Sequence, residues 1–255
     1  MPYVERITRA GKTIEIERYY TSRYKKKGIK RGDKVKPTTE QQKKINTRKA
    51  ERELRILINA NFGYGDYHLV LDYIRKRGEE PRDRDQMRND MDVFLRECRK
   101  EYKKQGIPCK YIHVMEVGER GARHHHLVIN RIDTKILQKC WHKAYEGHNR
   151  IKVFPLDDSG NYADLASYLI KYTDRHRTKK DGALQGKRWN PSRNLVRPVP
   201  EIRIISDRQW FKSEPQEIKG YYIDKKSVSK GVHSPEYCGY GYLRYTLVSL
   251  EREGG

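Results

Sequence analysis

The chain has 255 residues, 35% hydrophobic and 35% charged, which suits one fair-sized domain or one domain with appendages. Lysine and arginine (56) outnumber aspartate and glutamate (34), and the net charge of +22 points to a polyanionic partner, usually nucleic acid, rather than merely a basic surface. No apolar segment is long enough for a signal sequence or a membrane span, so we expect a cytoplasmic protein with no membrane partner.

The four cysteines, Cys98, Cys109, Cys140 and Cys238, are scattered along the chain without a C-x-x-C spacing. This distribution predicts neither a zinc ribbon nor a disulfide framework. A reducing compartment fits such cysteine usage.

The N-terminal part is predicted to be a basic extension, residues 1–59, that ends in a helix. Residues 13–17 alternate apolar and charged side chains, as in an exposed strand or hairpin arm. Residues 18–55 hold fifteen Lys/Arg and four Asp/Glu, a net charge of +11, with tyrosines among them. The segment can lie along a nucleic-acid backbone or form a solvated arm. The capping-box spacing of Thr38 and Gln41 predicts a helix over residues 39–59.

The middle of the chain, residues 60–178, alternates short apolar strands with amphipathic helices. The predicted order is β, α, β–β, α, β, α, which indicates an α+β fold. We expect a mostly antiparallel central sheet with helices packed on one side, of the ferredoxin-like or split βαβ kind. The predicted strands are residues 67–73, 109–117, 123–130 and 151–154, and the predicted helices are residues 85–105, 133–145 and 161–173.

The C-terminal part, residues 179–255, is predicted to be a basic extension that completes or flanks this core. Residues 171–212 hold twelve Lys/Arg and four Asp/Glu, a net charge of +8. Strands are expected at residues 201–205 and 242–248, and a short helix at residues 207–211. The candidate DNA-binding side chains are Arg123, Arg175, Lys187, Arg188, Trp189 and Arg193.

Three consecutive histidines, His124, His125 and His126, lead into an apolar run. On a β-strand, His124 and His126 point to one face and His125 to the other. Glu116 lies on the strand that precedes the hairpin turn and can come alongside the pair. Two imidazoles and a carboxylate form a mixed site suited to Mn²⁺ or Mg²⁺ that acts on phosphate.

A second cluster lies about forty residues further along the chain. On a helix, Tyr168, Lys171 and Tyr172 occupy positions i, i+3 and i+4 and share a face. A tyrosine hydroxyl can form a stable phosphodiester link to DNA, and a nearby cation such as Lys171 lowers its pKa or holds a phosphate. The alternative is that the two tyrosines are half-buried amphipathic aromatics, as on many helices.

These two clusters resemble the HUH endonucleases, and within them the rolling-circle replication initiators of phages and plasmids. The resemblance rests on Glu116, on His124–His126 and on Tyr168-x-x-Lys171-Tyr172, and it covers about residues 60–200. Within this resemblance Glu116 is the third metal ligand, Tyr168 the nucleophile and Tyr172 a candidate second nucleophile. The departure is His125, where the family has a bulky hydrophobic residue. Strand alternation turns His125 away from the metal, and a β-bulge near Gly121 and Ala122 is the alternative that would reverse this.

The resemblance implies nicking of single-stranded or hairpin origin DNA through a 5′-phosphotyrosine, with a 3′ hydroxyl left to prime synthesis. Residues 182–188 do not form a phosphate-binding loop of the required spacing, so unwinding requires a host helicase and extension a host polymerase. Relaxases and single-strand transposases share the chemistry and stay open as alternatives. A non-catalytic basic nucleic-acid-binding protein is the alternative from another class.

Overall fold

The computed structural model describes residues 2–21, 24, 39–74, 80–118, 121–146, 149–177, 187–206, 208, 214–232 and 239–251. These residues form ten strands and four helices, an α+β fold as predicted. None of the described helices is long and apolar enough to cross a membrane. In chain order the elements are β1 (Tyr3–Ala10), β2 (Thr13–Tyr20), α1 (Thr39–Asn59), β3 (Tyr67–Tyr73), α2 (Arg84–Lys104), β4 (Tyr111–Val117), β5 (Arg123–Ile129), α3 (Thr134–Ala144), β6 (Asn149–Pro155), α4 (Ala163–Arg177), β7 (Asn190–Pro191), β8 (Glu201–Ile205), β9 (Tyr221–Val232) and β10 (Gly241–Ser249).

The described chain divides into two compact units. One unit comprises residues 1–46, 159–161 and 197–255, and the other comprises residues 47–158 and 162–196. Each unit contains one antiparallel five-stranded sheet, with strand order β8-β1-β2-β10-β9 in the first and β6-β3-β5-β4-β7 in the second. The predicted boundaries after residues 59 and 178 stay a prediction.

The β6-β3-β5-β4-β7 sheet is covered by helices on both faces. Its strands bury apolar side chains at successive positions, as Leu127 and Val128 on β5 show. Leu127 packs in a cluster with residues of α2 and α3, whereas Val128 packs in a cluster with residues of α1 and α4. Because successive side chains of a strand point to opposite faces, the expectation of helices on one side only is wrong.

The helix α2 begins at a complete capping box, in which the Asp83 side chain accepts from the Gln86 backbone and the Gln86 side chain accepts from the Asp83 backbone. These bonds satisfy two backbone donors at the helix start. Its buried stripe of Met87, Met91 and Phe94 packs against the sheet, so the methionine and aromatic pattern belongs to the core.

The β8-β1-β2-β10-β9 sheet joins the two ends of the chain. The strand β2 is one arm of a hairpin with β1, but Ile14, Glu15 and Ile16 are buried, so the expectation of an exposed strand is wrong. The predicted strands over residues 201–205 and 242–248 are confirmed as β8 and β10. The strand β9 was not predicted, and residues 207 and 209–211 of the short helix lie outside the described residues.

Candidate active site

The histidine strand β5 lies between β3 and β4, and its register decides what surrounds the histidines. His124 is paired with Glu116 on one side and with Asp72 on the other. Directly paired residues of antiparallel strands project to the same face. The pairing is continuous from Arg123 to Ile129, so His124 and His126 share this face and His125 faces the opposite side, as the alternation predicts.

His126 is held between two polar side chains. Its Nε2 donates to Oε2 of Glu116 at 2.5 Å, and its Nδ1 shares a hydrogen bond with Nε2 of His68 at 3.1 Å. His126 and Glu116 are both buried. Burial and the charge of His126 lower the pKa of His68 to about 3, which keeps its ring neutral at ordinary pH. The buried carboxylate of Glu116 and the imidazole of His126 are thus in direct contact through the Nε2–Oε2 hydrogen bond.

His124 is oriented by a second carboxylate. Its Nδ1 donates to Oδ1 of Asp72 at 2.8 Å, so Nε2 is the ring nitrogen that remains to act as a metal ligand. A carboxylate bound to the far nitrogen is a common arrangement behind metal-ligating histidines. A Cβ at Gly118 would lie 3.4 Å from this Nε2, so the glycine leaves room beside the nitrogen.

Asp72 connects His124 to two cations. Nζ of Lys152 lies 2.8 Å from Oδ2 of Asp72, and a guanidinium nitrogen of Arg150 lies 3.2 Å from the same oxygen. Burial alone would raise the pKa of Asp72, but the hydrogen bonds from His124 and Lys152 outweigh it and hold that pKa well below its usual range. Asp72 is therefore a carboxylate whenever the protein is folded at neutral pH.

The candidate nucleophile Tyr168 faces these histidines from α4. Its ring centroid lies 5.6 Å from that of His126 and 5.8 Å from that of His68, both edge-on. The side chain is 39% exposed. It borders a cavity of about 530 Å³ whose lining contains the histidine face and the start of α4: His68, Val70, Asp72, Glu116, His124, His126, Lys152, Phe154, Asp164, Leu165 and Tyr168.

The other two residues of the tyrosine cluster are placed differently. Lys171 is exposed and is not among the residues that line this cavity. Tyr172 lies on the helix, but its side chain lies outside what the structure describes, and so does that of Arg175. The catalytic roles of Lys171 and Tyr172 stay predictions.

The donor set of the cavity fits a divalent cation by its chemistry. Two imidazoles and the carboxylate of Glu116 face one cavity, and such mixed nitrogen and oxygen sites suit first-row divalent ions. In the described part of the chain, no three His, Cys, Asp or Glu side chains converge as metal ligands would. His126 bonds directly to Glu116, so this contact has to open to admit an ion between the two side chains.

The predicted DNA-binding residues lie in several places. Arg123 is half-buried and borders a cavity of about 290 Å³ that Tyr73 and Arg82 also line. Trp189 is half-buried and packs against the apolar cluster of α1 and α4. Lys187 is exposed, Arg188 is half-buried, and Arg193 is exposed on a third cavity of about 960 Å³. Their DNA contacts stay predictions.

Three polar residues around the histidine pair were not predicted as site residues: His68, which the sequence predicts to be structural, Asp72 and Lys152. The alternation of β3 does place His68, Val70 and Asp72 on one face, so part of the signal was present in the sequence. The pairing of β3 with both β5 and β6 was needed to bring Asp72 next to His124 and Lys152.

The other face of the sheet buries two neutral histidines, which makes stability depend on pH. Burial lowers the pKa of His113 to about 3 and that of His125 well below 6.5. An unfolded histidine binds a proton below a pKa of about 6.5, whereas these folded ones do not. The free energy of unfolding therefore falls as the pH drops from about 6.5 towards 3, by up to about 1.4 kcal/mol per pH unit for each.

Urea unfolding between about pH 7 and pH 4 measures this dependence. His113→Gln, which cannot titrate, is expected to flatten the slope, and the exposed His142→Ala is expected to leave it unchanged. An equal slope in His113→Gln and the wild-type protein would contradict the assignment.

Comparison with known protein families finds one match to this region. Residues 66–177 match the family described as Replication-associated protein ORF2/G2P. The matched segment contains β3, the histidine strand and the helix of Tyr168, and it confirms the resemblance to rolling-circle replication initiators. No curated protein and no solved structure matches the chain.

Proposed function

We propose, from the match of residues 66–177 to replication-associated proteins, that the chain nicks and rejoins single-stranded DNA through Tyr168. The observation that carries the proposal is the approach of the Tyr168 ring to His126 in a cavity that also presents His124 and Glu116. A tyrosine, two imidazoles and a carboxylate around one open cavity form a set suited to transesterification of a phosphodiester.

The reaction exchanges one phosphodiester bond for another. Oη of Tyr168 attacks the phosphorus and releases its proton to water, and the 3′ oxygen of the upstream strand leaves and takes up a proton. The 5′ phosphate of the downstream strand stays on the tyrosine, and attack by a 3′ hydroxyl reverses the step. Mn²⁺ or Mg²⁺, held by Glu116, His124 and His126, would polarise a phosphoryl oxygen as a Lewis acid.

In this proposal two further residues, Asp72 and His68, orient the metal ligands and the nucleophile. Asp72 holds the His124 ring through Nδ1, and His68 contacts the rings of both His126 and Tyr168. The free 3′ hydroxyl would prime a host polymerase after a host helicase opens the duplex, in the cytoplasm. A hairpin origin is the substrate that fits the resemblance.

The direct test is formation of a covalent protein–DNA adduct. The protein is incubated with a single-stranded random-sequence library and Mn²⁺, and the products are separated under denaturing conditions. A 3′ label should travel with the protein and a 5′ label should not, because the downstream strand stays attached. EDTA should abolish the adduct. DNA binding without any adduct would favour the non-catalytic binder.

A further prediction concerns which lysine stabilises the charge on the reacting phosphate. Lys152 lines the cavity beside Tyr168, whereas Lys171 is exposed outside its lining. Preorganised cations stabilise the charge that develops on a transferring phosphoryl group. We expect Lys152→Met to slow adduct formation by about a hundredfold and Lys171→Met to slow it less.

The control for this comparison is Lys143→Met, which removes an exposed lysine of α3 that is paired with Glu97. Initial rates at saturating DNA separate the chemical step from binding. A larger loss of adduct rate in Lys171→Met than in Lys152→Met would show that Lys171, on the tyrosine helix, stabilises the phosphate instead.

A further inference from the structure

The middle histidine of the strand, His125, is fully buried on the face opposite the cavity. Its neighbours in sequence, His124 and His126, both face the cavity. The His125 ring lies among aromatic side chains, with its centroid 5.7 Å from that of Trp141 and 5.5 Å from that of Tyr73. Apolar side chains usually occupy such a space, so the two ring nitrogens of His125 need hydrogen-bond partners there.

His125 is the centre of a buried chain of hydrogen bonds. Its Nδ1 lies 2.9 Å from Nε2 of His113 on β4, and its Nε2 lies 2.8 Å from Oη of Tyr73 on β3. Tyr73 donates to Oδ2 of Asp90 on α2 at 3.0 Å, and Nε of Arg82 lies 3.2 Å from that oxygen. The chain therefore links three strands of the sheet to the first half of α2.

The proton assignment in this chain has one consistent solution. Tyr73 has one hydroxyl proton and gives it to Asp90, so its oxygen accepts from Nε2–H of His125. The Nδ1 of a neutral His125 then accepts from Nε2–H of His113. Every nitrogen of His125 thus has a partner.

A buried network in which both nitrogens of the central ring are hydrogen-bonded favours one arrangement of its backbone. A slip of β5 by one residue would turn His125 towards the cavity and move His124 and His126 away from it. Such a slip would also leave the buried Tyr73 and His113 without their partner. On β3, Asp72 bonds to His124 on the cavity face of the sheet, while the next residue, Tyr73, bonds to His125 on the opposite face.

We propose that His125 is a positioning residue, which acts with Tyr73 and Asp90 to hold His124 and His126 in the orientation that binds a divalent cation. The inference rests on the proposed function, since it takes these two histidines as the metal ligands. It assigns a role to the position at which the chain departs from the histidine–hydrophobic–histidine pattern. The hydrogen bonds, rather than the bulk of the ring, carry that role.

The test compares His125→Leu with His125→Gln in the full chain. Leucine fills the space without hydrogen bonds, whereas glutamine keeps a donor for Tyr73. We expect the Kd for Mn²⁺, measured by calorimetry without DNA, to rise about ten- to a hundredfold in His125→Leu, the range found when groups behind metal ligands are removed. His125→Gln should recover part of the loss.

Tyr73→Phe provides a second, milder variant that cuts the chain between His125 and Asp90. We expect a smaller rise in the Kd for Mn²⁺ than in His125→Leu. In the double variant, the fold-increase in Kd should be less than the product of the two single fold-increases, because both changes break the same network. Tyr102→Phe is the matched control, since it removes a buried hydroxyl on α2 that bonds to the Asn130 carbonyl instead. Its Kd should equal that of the wild-type protein.

Thermal unfolding in EDTA separates positioning from stability. A lower Tm in His125→Leu with an unchanged Kd for Mn²⁺ would overturn the proposal and leave His125 a packing residue. Failure of the wild-type protein to bind Mn²⁺ would overturn the proposed metal role and this inference together. A wild-type protein that binds Mn²⁺ and forms the adduct, with a His125→Leu variant equal to it in both, would overturn the positioning role alone.

Discussion

Replacing Tyr168 by phenylalanine is expected to abolish the covalent protein–DNA adduct, with a loss of at least about a thousandfold in rate. The substitution removes only the hydroxyl oxygen that attacks phosphorus and keeps the ring that contacts His126 and His68. DNA affinity and Mn²⁺ affinity should therefore stay close to the wild-type values. Adduct formation is followed with 3′-labelled single-stranded DNA in the presence of Mn²⁺.

The matched controls for this result are two other tyrosines. Tyr172→Phe tests the candidate second nucleophile and is expected to retain the first nicking step. Tyr64→Phe changes an exposed tyrosine away from the cavity lining and should behave as wild type. Loss of the adduct in Tyr172→Phe alone, with Tyr168→Phe unaffected, would show that the nucleophile had been assigned to the wrong tyrosine.

After Tyr168→Phe, the next largest effect on adduct formation is expected when either His124 or His126 is replaced. His124→Ala and His126→Ala each remove one of three proposed ligands, and we expect the Kd for Mn²⁺ to rise at least about a hundredfold. The adduct rate at a fixed, moderate Mn²⁺ concentration should fall in parallel. Calorimetric titration with Mn²⁺ and the adduct assay measure the two effects separately.

The two histidine variants should differ in stability. His126→Ala leaves the buried carboxylate of Glu116 without its imidazole partner, and an unpaired buried charge is costly. His124 is only half-buried, so His124→Ala should lower the Tm less. His142→Ala, on the exposed face of α3, is the control for loss of an imidazole. Unchanged Mn²⁺ affinity in both variants would contradict the proposed ligand set.

Local patterns predicted much of the histidine-containing sheet and its helices. The strands β3, β4 and β5 and the helices α2, α3 and α4 begin and end within a few residues of the predicted bounds. Hydrophobic periodicity and capping are local properties of a chain, so they can be read without knowing its neighbours. The strand β9 escaped prediction because its residues, Tyr221–Val232, are mostly exposed or half-buried and carry little apolar pattern.

Non-local pairing accounts for the features that the sequence did not predict. The sequence predicts Trp189 as a stacking residue in a basic loop, but it does not indicate that this side chain also packs on the apolar cluster of α1 and α4. The sequence predicts separate N-terminal and C-terminal extensions, yet β2 and β10 pair directly. Their separation in sequence exceeds two hundred residues, and no local signal specifies such a partner.

The sequence by itself determined the charge and the order of the elements from β3 to α4. It also determined the faces of the three histidines, because the side chains of any strand alternate. It also placed a tyrosine and a lysine on one helical face. Only the tertiary structure decided that Asp72 and His68 support the histidine pair, that Lys152 lines the cavity, and that His125 lies in a buried hydrogen-bonded chain. The physical reason is strand register, since a shift of one residue reverses every face and only packing on both sides of the sheet fixes it.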